Sequence, residues 1–173
     1  PPAATLPRAV ARAHLQAAVP IMVHSYPTGH VARRQIAIFK EEGVDLGKVK
    51  IDHSNDTTDT EYLTWILDQG CFLGLDRYPG RLVSPQMRTV TLKRLMDMGY
   101  GERLCPSHDC ICLHIHNEQP DGSIAEQHDF HKSNPDQYLF MHRHVIPELQ
   151  QLGATDRDIE MLFVDNPRRL FEA

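Results

Sequence analysis

Four side chains of metal-binding type each stand at or just after the end of a short apolar segment. They are His24, His53, Asp76 and Asp109. Imidazole nitrogen and carboxylate oxygen are both ligands of zinc, and a catalytic zinc site typically keeps three protein ligands and one open position for water. Bound zinc lowers the pKa of that water towards about 7, which makes it a nucleophile at neutral pH. A neighbouring aspartate can accept the proton, so these residue types indicate metal-dependent hydrolysis.

The segments before these residues have the length and apolar composition of buried β-strands. They are Val19 to His24, Val49 to His53, Cys71 to Leu75 and Leu104 to Ser107. Helix-compatible stretches stand before and between them, at about 6–17, 30–42, 58–69 and 84–98. This alternation predicts an α/β fold with a parallel sheet. Successive candidates are separated by about one β/α unit, roughly 30 residues, and chemistry in such folds lies at the carboxyl ends of the strands. The four side chains should therefore meet at one rim.

The rest of the chain is less regular. Residues 117–136 are polar and predict a long loop, and two helices are expected at 137–151 and 155–163. Asn166 begins a last short helix in this interpretation. Asp56 and Asp59 follow His53 and are expected to cap the next helix at its positive end.

Composition bounds the class of protein. With 173 residues, 41% hydrophobic and 24% charged, the chain (1–173) predicts one folded domain. A net charge of -5 predicts no nucleic acid partner, and the absence of a long apolar run predicts no membrane span. Four cysteines without the even spacing of a disulfide framework indicate a reducing, cytoplasmic setting. A start at Pro1 suggests either a fragment or a processed or engineered terminus.

Five motifs together resemble the C-terminal half of the phosphotriesterases and phosphotriesterase-related proteins, within the amidohydrolase superfamily. The motifs are Val-Pro-Ile-Met-Val-His24, Ile-Asp-His53-Ser-Asn-Asp, Gly-Leu-Asp76-Arg77-Tyr78, Ser107-His108-Asp109 and the run from Asp165 to Phe171. The resemblance implies a (β/α)8 TIM barrel, of which this chain would supply strands five to eight and their helices. It also implies two divalent metal ions, usually zinc, and hydrolysis of lactone, carboxylic ester or phosphotriester bonds by a metal-activated hydroxide.

The resemblance assigns roles residue by residue. His24 and His53 would bind the more exposed metal ion, whereas Asp109 would bind the buried one and accept the proton. Arg77 and Tyr78 would contact a small-molecule substrate, and the Asp-Arg-Tyr motif is closest to the lactonase-like branch. For Asp76, two interpretations stay open: it orients a metal ligand, or it makes a structural hydrogen bond.

The chain departs from the family pattern in one large respect. The family's His-x-His pair on strand one and its carboxylated lysine on strand four have no counterpart before His24. We therefore expect impaired activity from this stretch alone, open sheet edges and an exposed apolar inner face. Self-association, or pairing with a missing N-terminal half, would cover them. The alternative is a non-catalytic half-barrel that acts only through association.

A second row of metal-binding residue types follows the last predicted strand: Cys110, Cys112, His114 and His116. In a strand all four would face one way, about 6.6 Å apart in succession. A straight row with that spacing cannot surround one ion tetrahedrally. We therefore interpret it as part of the loop at the mouth of the site.

Overall fold

The computed structural model describes residues 2–80, 82–110 and 134–172. Four parallel strands form one sheet in the order β1-β2-β3-β4. The strands are β1 (Ile21–Val23), β2 (Val49–Ile51), β3 (Phe72–Leu75) and β4 (Leu104–Pro106). Each lies inside the apolar segment that predicted it, so the parallel α/β fold is confirmed.

Helices connect the strands and continue after the last one. They are α1 (Pro2–Ala17), α2 (Val31–Glu41), α3 (Thr60–Asp68), α4 (Pro85–Leu95), α5 (Ile146–Gln151), α6 (Asp156–Glu160) and α7 (Asn166–Glu172). Local sequence explains the helix starts: Asp59 accepts a hydrogen bond from the amide of Tyr62 at α3, and Ser84 caps α4 with Pro85 in the first turn. None of the described helices is long and apolar enough to cross a bilayer.

The end of the chain differs from its prediction. The expected break between a helix at 155–163 and a last helix from Asn166 is absent, because a π-helical turn at Met161–Asp165 joins α6 to α7. A similar turn at Met141–Val145 leads into α5. Each wide turn ends one residue before an X-Pro pair, at Pro167 and Pro147. Proline has no amide hydrogen to bond back along the helix, and a wider turn accommodates that loss.

The two faces of the sheet have different chemistry. Val49, Ile51, Leu73 and Leu75 are at most 1% exposed and belong to the main core under the helices. Alternation along β2 turns the intervening Lys50 to the other face, where it is also buried. The inner face was expected to be an exposed apolar patch, and that expectation was wrong in part. The edge of the inner face does expose Met22, but the middle of that face holds the buried Lys50. Nearby carboxylates compensate the charge of this lysine.

Candidate metal centre

The two histidines predicted as ligands lie side by side. β1 and β2 pair in parallel, with Val23 opposite Ile51; His24 directly follows Val23, and His53 lies two residues after Ile51. Their ring centroids are 4.4 Å apart and the ring planes meet at 74°. His53 adopts a left-handed backbone (φ 61°), which lets its ring leave the strand's alternation and turn towards His24. Partial burial, and next the neighbouring His53, lower the pKa of His24, which favours the neutral imidazole that binds metal.

Asp76 holds His53 from behind. Its Oδ1 accepts a hydrogen bond from the backbone amide of His53 at 2.8 Å and lies 3.1 Å from the ring Nδ1. This bond to Asp76 raises the pKa of His53. Burial opposes ionisation of Asp76, but the hydrogen bond from His53 holds the pKa of that carboxyl below its usual value. With Nδ1 engaged as a donor, Nε2 is the nitrogen left to bind a metal.

Asp109 reaches the same rim but is oriented differently. Its Oδ2 lies 3.9 Å from His53 Nδ1 and 3.4 Å from Arg77 Nε, and its side chain is 44% exposed. Like His53, it has a left-handed backbone (φ 46°), which is uncommon for non-glycine residues although aspartate and histidine adopt it more often than most. The structure thus brings Asp109 next to His53 and against Arg77.

The donor types fit a divalent ion in part. Two imidazoles and one carboxylate are ligands that zinc accepts. Among residues 2–80, 82–110 and 134–172, however, no three histidine, cysteine or acidic side chains are gathered tightly enough to hold an ion. The arrangement is therefore a histidine pair with a nearby carboxylate, which further ligands would have to complete.

Arg77 is fixed by a residue that the sequence analysis assigned elsewhere. Its Nη1 lies 2.7 Å from Asp56 Oδ2, and its backbone amide donates to the side chain of Asn55 at 3.1 Å. Asp56 was expected to cap α3, and that was wrong, because only Asp59 makes the capping bond. The side chain of Asp56 is 3% exposed and serves the arginine instead.

Arg88 was not identified from the sequence at all. Its side chain is fully buried, with Nη2 2.7 Å from Asp56 Oδ1 and further hydrogen bonds to the carbonyls of Asn55 and Val83. A signal was present, because Arg88 shares helical spacing with Leu92 and Leu95 on the buried face of α4. A charge on the core face of a helix needs a buried partner.

Tyr78 does not lie where a substrate-binding residue should. It is 1% exposed, belongs to the main core and stacks on Phe140 with ring centroids 6.4 Å apart. Burial raises the pKa of its hydroxyl. The expected substrate contact by Tyr78 does not fit this placement, since Arg77 reaches Asp109 at the rim whereas Tyr78 packs into the core.

A second charged group lies under the histidines. Lys50 Nζ is 2.7 Å from Asp52 Oδ1 and 3.8 Å from Asp76 Oδ2. Gly74 makes room for the two carboxylates around Lys50, since a Cβ added at Gly74 would be 2.8 Å from Asp76 Oδ2 and would also overlap Asp52. Burial, together with the charge of Asp76, raises the pKa of Asp52 to about 6. The sequence signal was a lysine inside the apolar run of β2.

The cysteine-histidine row is only partly described. Cys110 belongs to the described residues, and its amide donates to His108 Nδ1 at 3.2 Å. Cys112, His114 and His116 lie outside them, as does most of the predicted 117–136 loop. The interpretation of this row therefore stays a prediction.

Comparison with known proteins gives a consistent result. The model of the phosphotriesterase family matches residues 3–171. A phosphotriesterase homology protein of Mycobacterium tuberculosis is 37% identical over 168 residues, which are 95% of this chain and 49% of that protein. An aryldialkylphosphatase of Saccharolobus solfataricus is 34% identical over 95% of this chain and 51% of its own length. A more distant relative, an N-acetyltaurine hydrolase of Dictyostelium discoideum, is 27% identical.

The solved structures extend the comparison to the fold. The phosphotriesterase from Mycobacterium tuberculosis superposes with a TM-score of 0.85 at 35% identity, over 98% of this chain and 50% of that one. The chain thus spans about half the length of these relatives, and its four-stranded parallel sheet corresponds to half of a (β/α)8 barrel. The match of the family model over nearly every residue shows that this chain belongs to the phosphotriesterase family.

Proposed function

We propose that the protein containing this chain is a metal-dependent hydrolase acting on lactone, carboxylic ester or phosphotriester bonds. The observation that supports this best is the histidine pair: His24 and His53, from neighbouring strands, have ring centroids 4.4 Å apart, with Asp76 behind His53. A buried carboxylate bonded to a histidine's far nitrogen is typical of metal-binding histidines. The family match and the hydrolase names of two relatives add support.

In this proposal His24 and His53 hold a divalent ion, with zinc the natural choice for imidazole nitrogen and carboxylate oxygen. Asp109 supplies a carboxylate to the second, more buried ion that the family resemblance implies. The remaining ligands come from the half of the family's barrel that this chain does not span. When bound, such an ion lowers the pKa of a water molecule and polarises the bond to be cleaved.

Asp109 is the proposed proton acceptor. Its Oδ2 is close to both His53 and Arg77, and its exposed side chain gives it access to solvent and substrate. Arg77 keeps that carboxylate in place by a charge-assisted contact. Because its side chain is 31% exposed, its guanidinium can also hydrogen-bond an oxygen of the substrate. Tyr78 then packs under the loop instead of contacting the substrate.

The deciding experiment uses the protein as expressed from its gene, loaded with zinc and assayed on lactones, aryl esters and dialkyl aryl phosphates. We expect hydrolysis that a chelator abolishes and zinc restores, and we expect His53→Ala to remove it. His142→Ala is the matched control, because His142 is an exposed histidine in the turn before α5 and is not one of the proposed ligands. Metal-independent turnover, or an unchanged rate in His53→Ala, would contradict the proposal.

The alternative, a half-barrel that acts only through association, has one observation in its favour. Within the described residues β1 and β4 are sheet edges without a further strand. Unpaired strand edges are sites where another chain can add. Absence of metal-dependent turnover in the expressed protein, combined with a stable oligomer in solution, would favour this alternative.

A further inference from the structure

The side chain of Arg88 is a buried cation that the proposed chemistry does not use. Its guanidinium is fully buried, although arginine is almost never found so unless it is paired. Its three acceptors come from two loops: Asp56 and Asn55 after β2, and Val83 before α4. Arg88 therefore ties the loop after β2 to the start of α4.

The carboxylate of Asp56 is shared between two arginines. Oδ1 lies 2.7 Å from Nη2 of the buried Arg88, and Oδ2 lies 2.7 Å from Nη1 of Arg77. Arg77 in turn places its Nε 3.4 Å from Asp109. A continuous chain of charged contacts thus runs from the core of the protein to the rim.

The backbone is shaped around this chain. Gly80, in the loop after β3, has a left-handed φ of 70°, and an added Cβ there would overlap the guanidinium of Arg88. Only glycine tolerates both this backbone conformation and this close approach. Gly80 therefore allows the loop that carries Arg77 to pack directly on Arg88. The position of one arginine is therefore coupled to the position of the other.

We propose that Arg88 is a positioning residue for Arg77, acting through the carboxylate of Asp56. A partly exposed arginine loses side-chain entropy when it is held in one geometry. It keeps that geometry only if its partner is rigid. Asp56 is held in place because Arg88 contacts its other oxygen and because its side chain is almost completely buried. Without Arg88, Asp56 can rotate, and Arg77 loses the direction that aims its Nε at Asp109.

The first test does not depend on activity. In protein labelled with 15N-arginine, the Nε–H of Arg77 should give a resolved, slowly exchanging signal. We expect Arg88→Met and Asp56→Asn to broaden that signal or speed its exchange with water. Arg94→Met, an exposed position on the same helix, should leave it unchanged. An unchanged Arg77 signal in a folded Arg88→Met variant would overturn the proposal.

The second test rests on the proposed function and separates positioning from general stability. Arg88→Met should lower kcat/KM between about tenfold and a hundredfold, as small displacements of a catalytic group do. In an Arg77→Met background the same change should have almost no further effect, because the residue it positions is gone. Arg88→Lys keeps the charge, but a single ammonium group cannot reproduce the contacts of the guanidinium with Asp56, Asn55 and Val83. We therefore expect its rate to lie between those of the wild type and Arg88→Met.

The outcomes are distinguishable. Multiplicative effects of Arg88→Met and Arg77→Met, with the fold intact by circular dichroism, would show a merely structural Arg88 and overturn the inference. A perturbed Arg77 signal in a protein that hydrolyses nothing would leave the inference standing and reject the proposed function. If Arg88→Met fails to fold, Arg88→Lys and Asp56→Asn provide the same comparison.

Discussion

Asp76 accepts two hydrogen bonds from His53, one from the backbone amide and one from the ring nitrogen Nδ1. One carboxylate thus fixes both the backbone and the ring of a proposed metal ligand. Asp76 directly follows β3 and His53 lies two residues after β2, so the parallel pairing of these two strands brings the carboxylate and the histidine together. Pairing of adjacent strands is what turns two residues distant in sequence into one functional unit.

The first prediction concerns Asp76. Asp76→Ala should weaken zinc binding by about 10- to 100-fold, the usual cost of losing a partner behind a histidine ligand. The zinc affinity of Asp76→Asn should lie between those of the wild type and Asp76→Ala, because the amide oxygen can still accept a hydrogen bond from His53. Titration of the expressed protein against a chelating indicator measures this. Asp97→Ala, on the exposed side of the turn after α4, is the control. Wild-type affinity in Asp76→Ala would reassign this aspartate to a purely structural role.

A second prediction concerns the buried pair Lys50 and Asp52. Lys50→Met leaves a buried carboxylate without its cation and should cost about 3–5 kcal/mol of unfolding free energy. The double variant Lys50→Met with Asp52→Asn should recover much of this, since no buried charge is left unpaired. Urea unfolding gives both values. Lys40→Met, at an exposed position, is the control.

The same pair predicts a pH dependence. The pKa of Asp52, about 6 in the folded protein, is above its ordinary value of 3.8. A carboxyl whose pKa is higher in the folded than in the unfolded protein lowers the unfolding free energy at pH values above its folded pKa. This loss of stability disappears as the pH falls towards the pKa of the unfolded state. The penalty of Lys50→Met should therefore be larger at pH 8 than at pH 5. An equal penalty at both pH values would contradict the assignment.

The substrate preference is a further prediction. The sequence Asp76-Arg77-Tyr78 resembles the version of this motif in the lactonase-like branch, and Arg77 places a cation at the rim beside Asp109. We expect kcat/KM for lactones to exceed that for dialkyl aryl phosphates in the same preparation. A side-by-side assay with the reverse order would remove the lactonase assignment without affecting the metal site.

Much of the fold was predictable because it depends on periodicity and on helix ends. The strands before His24 and His53 are short apolar runs, and the caps and glycines around them are local signals. The position of the two histidines followed from topology alone, since parallel strands present their carboxyl ends at one rim. These features needed no knowledge of side-chain contacts.

The network behind the rim was not predictable in the same way. Asp56 has the sequence context of a helix cap, and only the approach of Arg77 and Arg88 from other elements gives it another role. Tyr78 follows Arg77 directly, and the sequence motif cannot say that the two side chains point in opposite directions. Contacts between distant segments decide these cases, and no local pattern encodes them.

The central claim is that His24 and His53 bind one divalent ion. The most direct test is an anomalous difference map, recorded at the zinc edge from crystals of the expressed protein. The account predicts a peak within zinc-bond distance, roughly 2.0–2.2 Å, of one nitrogen from each of His24 and His53, with Asp76 still bonded to His53 Nδ1. Zinc bound elsewhere, or a fully loaded protein in which neither ring contacts the ion, would contradict it.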